Sequence, residues 1–227
     1  MALEKNSILV KIPTRWRPEK FLDVLRKYID FQNTTEVQYL ISIDSDDCKM
    51  TPQAIDKIYS VYDKIKIFSG ESSGKVNAYN RDIEAISGWK ILVVTSDDMI
   101  PVYQGWDHEI ANQMSRLYPD YDGVLHFNDG YTGKKLNTLP IMGKKYYNRF
   151  GYVYNPAYQS LWCDNEFMEV AEKLNKQTYF DLTLFRHDHP ANIPNKRDAV
   201  YNLNESFYHL DKKIFEKRKQ DGFPVCS

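Results

Sequence analysis

Two adjacent aspartates follow a short apolar run near the middle of the chain. The run is "ILVV" at residues 91–94, and Thr95 and Ser96 separate it from Asp97 and Asp98. Neighbouring carboxylates repel each other unless a positive charge lies close to both. Mg²⁺ and Mn²⁺ supply such a charge in many proteins, with one or two carboxylates as ligands and substrate phosphates at the remaining positions. The pair is therefore a candidate site for a divalent cation.

A second group of aspartates closes another apolar run. The run "VQYLISI" at 37–43 is followed by Asp44, Asp46 and Asp47. Aspartate is favoured in solvated turns and at helix N-termini, and either explanation suffices for a single residue. Four or five carboxylates at one edge of a sheet repel one another, so their number favours a bound cation.

The elements that position these residues alternate between strand and helix over residues 7–100. Short apolar runs predict strands, and apolar residues at helical spacing predict helices between them. The predicted strands are 7–12, 37–43, 65–68 and 90–94. This alternation predicts a parallel, doubly wound α/β sheet, in which ligands bind outside the carboxyl ends of the strands. We therefore expect the strand ends "PTRWR", "DSDD", "SGESSGK" and "SDD" to meet at one edge.

The pattern changes after residue 100, but no linker, repeat or low-complexity segment marks a second domain. The apolar patterns predict strands at 123–127, 138–143 and 178–187, and helices at 105–118, 144–150, 164–176 and 198–219. Both halves are therefore interpreted as parts of one domain.

The bulk composition excludes several classes of protein. The 227 residues carry a net charge of −1, so no basic surface predicts nucleic acid as a partner. No stretch approaches the roughly 18 apolar residues that cross a bilayer, and the first residues do not resemble a signal peptide. Three widely spaced cysteines, Cys48, Cys163 and Cys226, favour reduced thiols. We expect a cytoplasmic protein without a transmembrane segment, docked peripherally to a membrane if its acceptor is lipid-linked.

Four segments resemble, in order and spacing, the nucleotide-sugar glycosyltransferases of the GT-A fold, and most of all the broad family 2 type. They are "ILVKIPTRWRPEKF", "YLISIDSDD", "SGKVNAYNRDIEAISG" and "KILVVTSDDMIP". The resemblance implies a Rossmann-like, mostly parallel sheet flanked by helices in a single domain over 1–227. Residues up to about 100 would bind the nucleotide sugar, and about 101–227, with the C-terminal helix, the acceptor. It also implies Mn²⁺ or Mg²⁺ as cofactor and inverting hexosyl transfer to a carbohydrate or glycoconjugate acceptor.

The resemblance implies a nucleoside site built from the first two strand ends. Pro13, Thr14 and Arg15 match the loop that packs on the base, and Arg15 is equally suited to a phosphate. Arg17 is either a further donor contact or a surface residue. Asp44 matches the aspartate that accepts a hydrogen bond from the N3–H of uracil. Cytosine has no donor at that position, so this match favours a UDP-sugar.

The metal motif departs from the family's Asp-x-Asp pattern, which places two carboxylates two residues apart. In one alignment Asp98 takes the metal-bound place, Asp97 the middle place and Ser96 the first. A shift by one residue makes Asp97 the metal ligand and Thr95 the first member. Both aspartates are therefore candidate metal ligands, and Asp97 is also a candidate contact to the nucleotide.

Two further pairs of residues have roles implied by the resemblance. Lys75 and Asn77 match a polar pair that faces the nucleotide, and the alternative is a helix N-terminal turn with a solvated lysine. His189 matches the late histidine that completes the metal shell in many enzymes of this fold. His187 is the alternative, because residues two apart in a strand share a face.

The candidate base and acceptor residues lie in the second half. Asp164 in "LWCDNEF" matches the aspartate that deprotonates the acceptor hydroxyl, and Cys163 replaces the usual glutamate before it. Glu166 is the alternative base. Trp106 and Trp162 are candidate platforms for a sugar ring, although large aromatic residues are also common in cores.

Two other functions compete with glycosyl transfer. Nucleotidyltransferases of related fold also use paired carboxylates and a metal, but "IPTRWRP" lacks the glycines that usually follow their first strand. A catalytically silent protein that binds sugar nucleotides is the other alternative, since the usual glutamate and the first aspartate of the metal motif are both replaced.

Overall fold

The computed structural model describes residues 7–34, 36–189 and 198–223. Within these ranges the strands are β1 (Ile8–Thr14), β2 (Val37–Asp44), β3 (Ile65–Gly70), β4 (Ile91–Val94), β5 (Met99–Pro101), β6 (Val124–Phe127), β7 (Ile141–Gly143), β8 (Gln177–Phe180) and β9 (Phe185–His187). The α-helices are α1 (Pro18–Phe31), α2 (Pro52–Tyr59), α3 (Lys75–Asn80), α4 (Trp106–Leu117), α5 (Lys144–Asn148), α6 (Cys163–Lys173), α7 (Ala199–Glu205) and α8 (Tyr208–Gln220). None of the described helices is long and apolar enough to span a membrane.

Seven strands form one mixed sheet in the order β3-β2-β1-β4-β7-β6-β8. β1 pairs in parallel with β2 and β4, and β2 pairs in parallel with β3. β7 runs antiparallel to both β4 and β6, and β8 is parallel to β6. The predicted mostly parallel α/β sheet is thus confirmed. The strand order reverses between β1 and β4, which places a crevice at their carboxyl ends.

Helices cover both faces of the sheet because the strands are apolar on both sides. Side chains alternate along a strand, so Ile8, Val10 and Ile12 pack on one face with α1, α2 and α4. Leu9 packs on the other face with α3, α5 and α6. Both clusters are buried, which explains why the first strand is a continuous apolar run rather than an alternating one.

A separate antiparallel ribbon joins the segments that follow β4 and the end of the second half. It consists of β5 and β9, and Met99 lies opposite His187. The predicted strand at 178–187 is therefore divided, because 177–180 pairs with β6 in the main sheet and 185–187 pairs with β5. The predicted helix at 198–219 is likewise divided into α7 and α8. The ribbon brings the late histidines to the end of β4.

Lys11 is a fully buried lysine in the central strand β1. Its Nζ donates to the Ser42 hydroxyl and, at 2.8 Å, to the Arg81 carbonyl, and Asp82 lies 3.9 Å away. Burial lowers the pKa of Lys11 to about 7, although the Asp82 carboxylate acts in the opposite direction. An unfolded lysine keeps its proton to a higher pH, near 10.4. Between these values the unfolded chain binds more protons, so the free energy of unfolding should rise with pH.

The contribution of Lys11 is measurable by comparing wild type with Lys11→Met in urea at about pH 7 and about pH 9. We expect the stability of wild type, relative to the variant, to increase with pH by up to about 1.4 kcal/mol per pH unit. Groups that titrate in both proteins change both free energies of unfolding equally, so they do not contribute to the difference. A difference that does not change with pH would contradict a buried amine that loses its proton near neutrality.

Candidate functional site

A cavity of about 790 Å³ opens at the carboxyl edge of the sheet. The loops that follow β1, β2, β3 and β4 all contribute to its wall, as the alternating pattern predicts. Their lining residues are Pro13, Thr14, Arg15, Arg17, Asp44, Ser72, Ser73, Gly74, Lys75, Ser96, Asp97 and Asp98. The second half supplies residues from the loop before α6, the start of α6, the end of β9 and helix α7.

The loop after β1 is joined to the loop after β2 by side-chain contacts. The Arg15 guanidinium lies 2.6 Å from both Asp44 Oδ2 and Asp46 Oδ1. The Trp16 N–H donates to Asp47 Oδ2 at 2.7 Å. Basic side chains and backbone donors therefore compensate the charge of the three carboxylates at the end of β2. The expectation that their mutual repulsion requires a bound cation is wrong for this group, because Arg15 folds back over it.

Asp97 is also neutralised within the protein. Its Oδ1 accepts hydrogen bonds from Arg17 at 2.9 Å and from Lys20 at 3.2 Å. Arg17 also forms a bidentate salt bridge with Asp198, the N-cap of α7, at 2.7 and 2.6 Å. Arg17 thus links the end of β4 to the helix that covers part of the cavity. It is a half-buried structural bridge as well as a lining residue.

Asp98 makes no ion pair with a described arginine or lysine, in contrast to its neighbour. The Ser96 hydroxyl donates to Asp98 Oδ1, and His187 Nε2 lies 3.8 Å from the same oxygen. Burial alone would raise the pKa of Asp98, but His187, the Ser96 hydroxyl and two lysines lower it to about 2. Asp98 is therefore an ionised carboxylate at the end of β4 within the cavity.

The two late histidines both line the cavity. The backbone N–H of Asp188 donates to the Asp98 carbonyl at 2.8 Å, which fixes the ribbon against the end of β4. The His187 and His189 rings pack at 5.2 Å. Burial, followed by the nearby His187, lowers the pKa of His189 to about 4. His189 is thus a neutral imidazole at physiological pH, and His187 is the histidine that faces Asp98 at 3.8 Å.

The donors around Asp98 suit a hard divalent cation that is shared with a ligand. Among the described residues, no group of three or more His, Cys, Asp or Glu side chains is arranged to hold a metal ion. Asp98 Oδ1 and His187 Nε2 nevertheless face each other at 3.8 Å, too far apart for a hydrogen bond. Asp98 offers an oxygen ligand of the kind that Mg²⁺ and Mn²⁺ prefer, and His187 offers a ring nitrogen, so positions would remain for phosphate oxygens.

Asp164 lies in the first turn of α6 and lines the same cavity. Burial raises the pKa of its carboxyl, and the positive charge of Lys75 opposes this shift only in part. Burial acts to lower the pKa of Lys75, but nearby acidic groups outweigh burial and raise this pKa overall. These groups are Tyr79, Cys163, Asp98 and Asp164. A protonated lysine therefore interacts with both carboxyl groups, and the less acidic of the two is Asp164.

Comparison with known proteins gives matches among solved structures. No protein-family model matches the chain, and no curated protein matches it. The mannosyltransferase PcManGT from Pyrobaculum calidifontis, solved with GDP-Man and Mn²⁺, superposes with a TM-score of 0.67 at 13% identity over 92% of this chain. S. aureus TarS 1-349 with UDP-GlcNAc superposes with a TM-score of 0.63 at 14% identity over 86%. The TarS 1-349 complex with UDP gives 0.62 at 16% identity over 79%.

The chain has the GT-A fold. The chain spans 63% of the PcManGT chain and 60% of each of the two TarS chains. At these identities the likeness establishes the fold, and it confirms the architecture that the sequence resemblance implies.

The structure contradicts two predicted roles, that of Trp106 as a platform for a sugar ring and that of Glu166 as the alternative base. Trp106 is fully buried, donates from Nε1 to the Tyr28 carbonyl at 3.1 Å, and lies among core residues. Glu166 is buried and bound by Arg218 at 2.7 and 2.8 Å and by the Tyr158 hydroxyl at 2.7 Å. Trp106 cannot reach an acceptor and Glu166 cannot act as its base, because both are used to hold the fold together.

Two other predicted residues lie outside the cavity wall. Trp162 packs against Phe215 and Tyr208 of the C-terminal segment, with ring centroids at 5.2 and 5.7 Å. Asn77 is exposed on α3, whereas Lys75 of the same helix lines the cavity. Residues two apart on a helix do not share a face, so Lys75 can face the cavity while Asn77 faces solvent.

Asp211 holds a loop of the cavity wall in place, a role that the sequence did not reveal. It is fully buried in α8 and accepts hydrogen bonds from the backbone N–H groups of Gln159, Ser160 and Leu161 at 3.0, 2.8 and 2.8 Å. These three residues line the cavity. The C-terminal helix therefore fixes the loop that precedes α6. Only a three-dimensional structure brings a residue 50 positions away to this loop, so the sequence carries no signal for it.

Proposed function

We propose that this protein is a metal-dependent glycosyltransferase that moves a hexosyl group from a nucleotide sugar, preferably a UDP-sugar, to a hydroxyl of a glycan or glycoconjugate. One observation carries the proposal. In a chain with the GT-A fold, a single cavity at the sheet edge contains an ionised carboxylate beside an imidazole and a second carboxyl whose pKa is raised. These are the groups needed to hold a diphosphate-bound metal and to accept a proton.

The nucleoside would lie against the ends of β1 and β2. Asp44 accepts hydrogen bonds from Arg15, Ser72 and Arg81. A carboxylate offers about four acceptor positions, so one remains for the N3–H of uracil. Pro13 and Thr14 line the adjoining wall. This arrangement supports uridine over cytidine, because N3 of cytosine carries no hydrogen to donate.

The diphosphate would lie between the ends of β1 and β4. Arg17 and Lys75 line this part of the cavity and carry positive charge. Asp98 and His187 would hold Mn²⁺ or Mg²⁺, with His189 beside them and Asp97 orienting Arg17. When bound, the metal supplies charge that stabilises the departing nucleoside diphosphate.

Asp164 would act as the general base. Its carboxylate takes the proton from the acceptor hydroxyl as that oxygen attacks the anomeric carbon, and the bond from that carbon to the diphosphate oxygen breaks. Displacement from the face opposite the leaving group inverts the configuration. A base with a raised pKa holds the proton more readily in the transition state. The raised pKa of Asp164 supports this assignment.

A thermal-shift panel tests the donor class directly. The ligands are UDP, GDP, CDP and ADP, each with and without Mn²⁺, followed by UDP-sugars and GDP-mannose. We expect UDP with Mn²⁺ to stabilise the protein by about 2.7 kcal/mol at a hundredfold excess over Kd. GDP as the preferred ligand would overturn the uridine assignment. The absence of any stabilisation by nucleoside diphosphates would overturn the proposed function.

A catalytically silent nucleotide-sugar binder is the second candidate. It is supported by Cys163, which stands where the family has a glutamate and is buried beside Asp164. Release of UDP from a UDP-sugar in the presence of Mn²⁺ separates the two candidates. An enzyme gives steady turnover, whereas a binder gives a thermal shift without turnover.

A further inference from the structure

Arg81 is a largely buried arginine behind the cavity wall for which the proposed reaction has no role. It follows α3, and its side chain is 12% exposed. Its Nη1 donates to the Glu71 carbonyl at 2.7 Å, and its Nη2 donates to the Ile43 carbonyl at 2.5 Å. Nη2 also donates to Asp44 Oδ1 at 3.1 Å. Backbone carbonyls beside the ends of β2 and β3 therefore fix the guanidinium against the Asp44 carboxylate.

The two oxygens of the Asp44 carboxylate have different partners. Oδ2 accepts from Arg15 at 2.6 Å and from the Ser72 hydroxyl at 3.3 Å. Oδ1 accepts from Arg81, and no other residue in the described ranges donates to it. Each carboxylate oxygen has about two acceptor positions, so one position on Oδ1 stays open. Asp44 lines the cavity and Arg81 does not, so Arg81 holds the oxygen with the open position from outside the cavity wall.

Gly70 provides the space that this guanidinium occupies. It is the last residue of β3 and lies opposite Asp44 in the sheet register. A Cβ atom at Gly70 would lie 2.9 Å from Arg81 Nη1 and 3.2 Å from Arg81 Cζ. Such atoms normally pack at about 3.5–4.0 Å. Gly70 is not among the glycines with a positive φ, so its position requires a small residue because of Arg81 rather than because of the backbone.

We propose that Arg81 is a positioning residue that directs Asp44 Oδ1 toward the N3–H of uracil. This inference rests on the proposed function, in which Asp44 accepts a hydrogen bond from the base. Without Arg81 only Oδ2 keeps its partners, and the broad terminal torsion of an aspartate lets Oδ1 change direction. The hydrogen bond to uracil is then lost. CDP has no hydrogen on N3, so its affinity does not depend on the direction of Oδ1.

The test compares the affinities of UDP and CDP, each titrated calorimetrically in the presence of Mn²⁺. In wild type we expect UDP to bind about tenfold more tightly than CDP, the effect of one hydrogen bond to a charged group. This preference should disappear in Arg81→Met, while the affinity for CDP stays within a few-fold of wild type. A general loss of structure would instead weaken the binding of both nucleotides.

Gly70→Ala is a second variant, which keeps the arginine and displaces its guanidinium. The added Cβ meets the far end of a flexible side chain, so the fold adapts by moving Arg81 away from Asp44. The preference for UDP should therefore disappear here as well. Arg149→Met is the matched control, because Arg149 binds both oxygens of Asp122 at 2.9 Å away from the cavity wall. It should leave the preference unchanged.

The outcomes separate this inference from the proposed function. A wild-type preference for UDP that persists in Gly70→Ala or in folded Arg81→Met would overturn the inference and leave the proposed function standing. A further loss of preference when Arg81→Met is added to Asp44→Ala would also overturn it, because Arg81 would then act independently of Asp44. Equal affinities of wild type for UDP and CDP would overturn the inference together with the uridine assignment. A wild type that binds neither nucleotide would overturn the proposed function itself.

Discussion

Asp164→Asn should lower the rate of UDP release from a UDP-sugar by about 10²–10⁴-fold, the usual contribution of a general base. The amide keeps the size and the polarity of the side chain but cannot take the proton from the attacking hydroxyl or water. Nucleotide binding should be unchanged, because Asp164 is assigned to the acceptor rather than to the diphosphate. The measurement is steady-state hydrolysis of the UDP-sugar with Mn²⁺, together with the Kd of UDP.

The pH dependence of the same reaction provides a second test of Asp164. A base works only when deprotonated, so activity should fall as the pH drops through its pKa. Burial raises that pKa above the ordinary value of an aspartate, and the loss should therefore begin at a higher pH than for an exposed carboxyl. The acid limb of the profile should disappear in Asp164→Asn.

Glu169→Gln is the matched control for Asp164. Glu169 lies on the same helix α6 and pairs with Lys219 at 2.7 Å, away from the cavity wall. Its substitution should change the rate by less than a few-fold. Equal rates in wild type and Asp164→Asn would contradict the assignment of the base, and Cys163→Ala would then be the next variant to assay.

Asp98→Asn should abolish the metal dependence of UDP binding and lower the reaction rate by about 10²–10³-fold, the effect of losing one group that stabilises charge in the transition state. The amide retains an oxygen for the Ser96 hydroxyl, so the fold should persist. The loss of negative charge removes the main attraction for a cation at the end of β4. Calorimetric titration of UDP with and without Mn²⁺ measures this effect.

The adjacent substitution Asp97→Asn tests which of the two aspartates binds the metal, a choice that the sequence leaves open. Asp97 is paired with Arg17 and Lys20, so its substitution should weaken nucleotide binding while Mn²⁺ still enhances what remains. If Asp97→Asn removes the Mn²⁺ effect and Asp98→Asn does not, the metal ligand is Asp97, and the arrangement proposed around His187 is wrong.

The sequence predicts the first half of the fold because the signals for its strands and helices are local. Each of the first four strands is a compact apolar run, and the polar residues that follow each run are adjacent to it in the chain. The topology of a parallel sheet then brings Thr14, Asp44, Lys75 and Asp98 to one edge without any knowledge of side-chain contacts. Helix α2, with Thr51 as its N-cap and Pro52 in its first turn, is likewise visible from local residue types.

The remaining features depend on contacts between distant segments. The sequence cannot show that Arg15 and Arg17 fold back over Asp44 and Asp97, so repulsion among the carboxylates was overestimated. Trp106 carries no local sign that it contacts Tyr28 rather than an acceptor. Asp211 illustrates the same limit, since the backbone N–H groups from which it accepts lie 50 to 52 positions earlier in the chain.

In the proposed enzyme, a divalent cation would join the end of β4 to a nucleoside diphosphate. The most direct test is a crystal grown with Mn²⁺ and UDP and measured near the manganese absorption edge. We predict one anomalous peak within bonding distance of Asp98, His187 and the diphosphate, with Asp164 facing the space beyond the β-phosphate. Bound UDP with no anomalous peak at Asp98, or manganese located only beside Asp44 and Asp46, would contradict the claim.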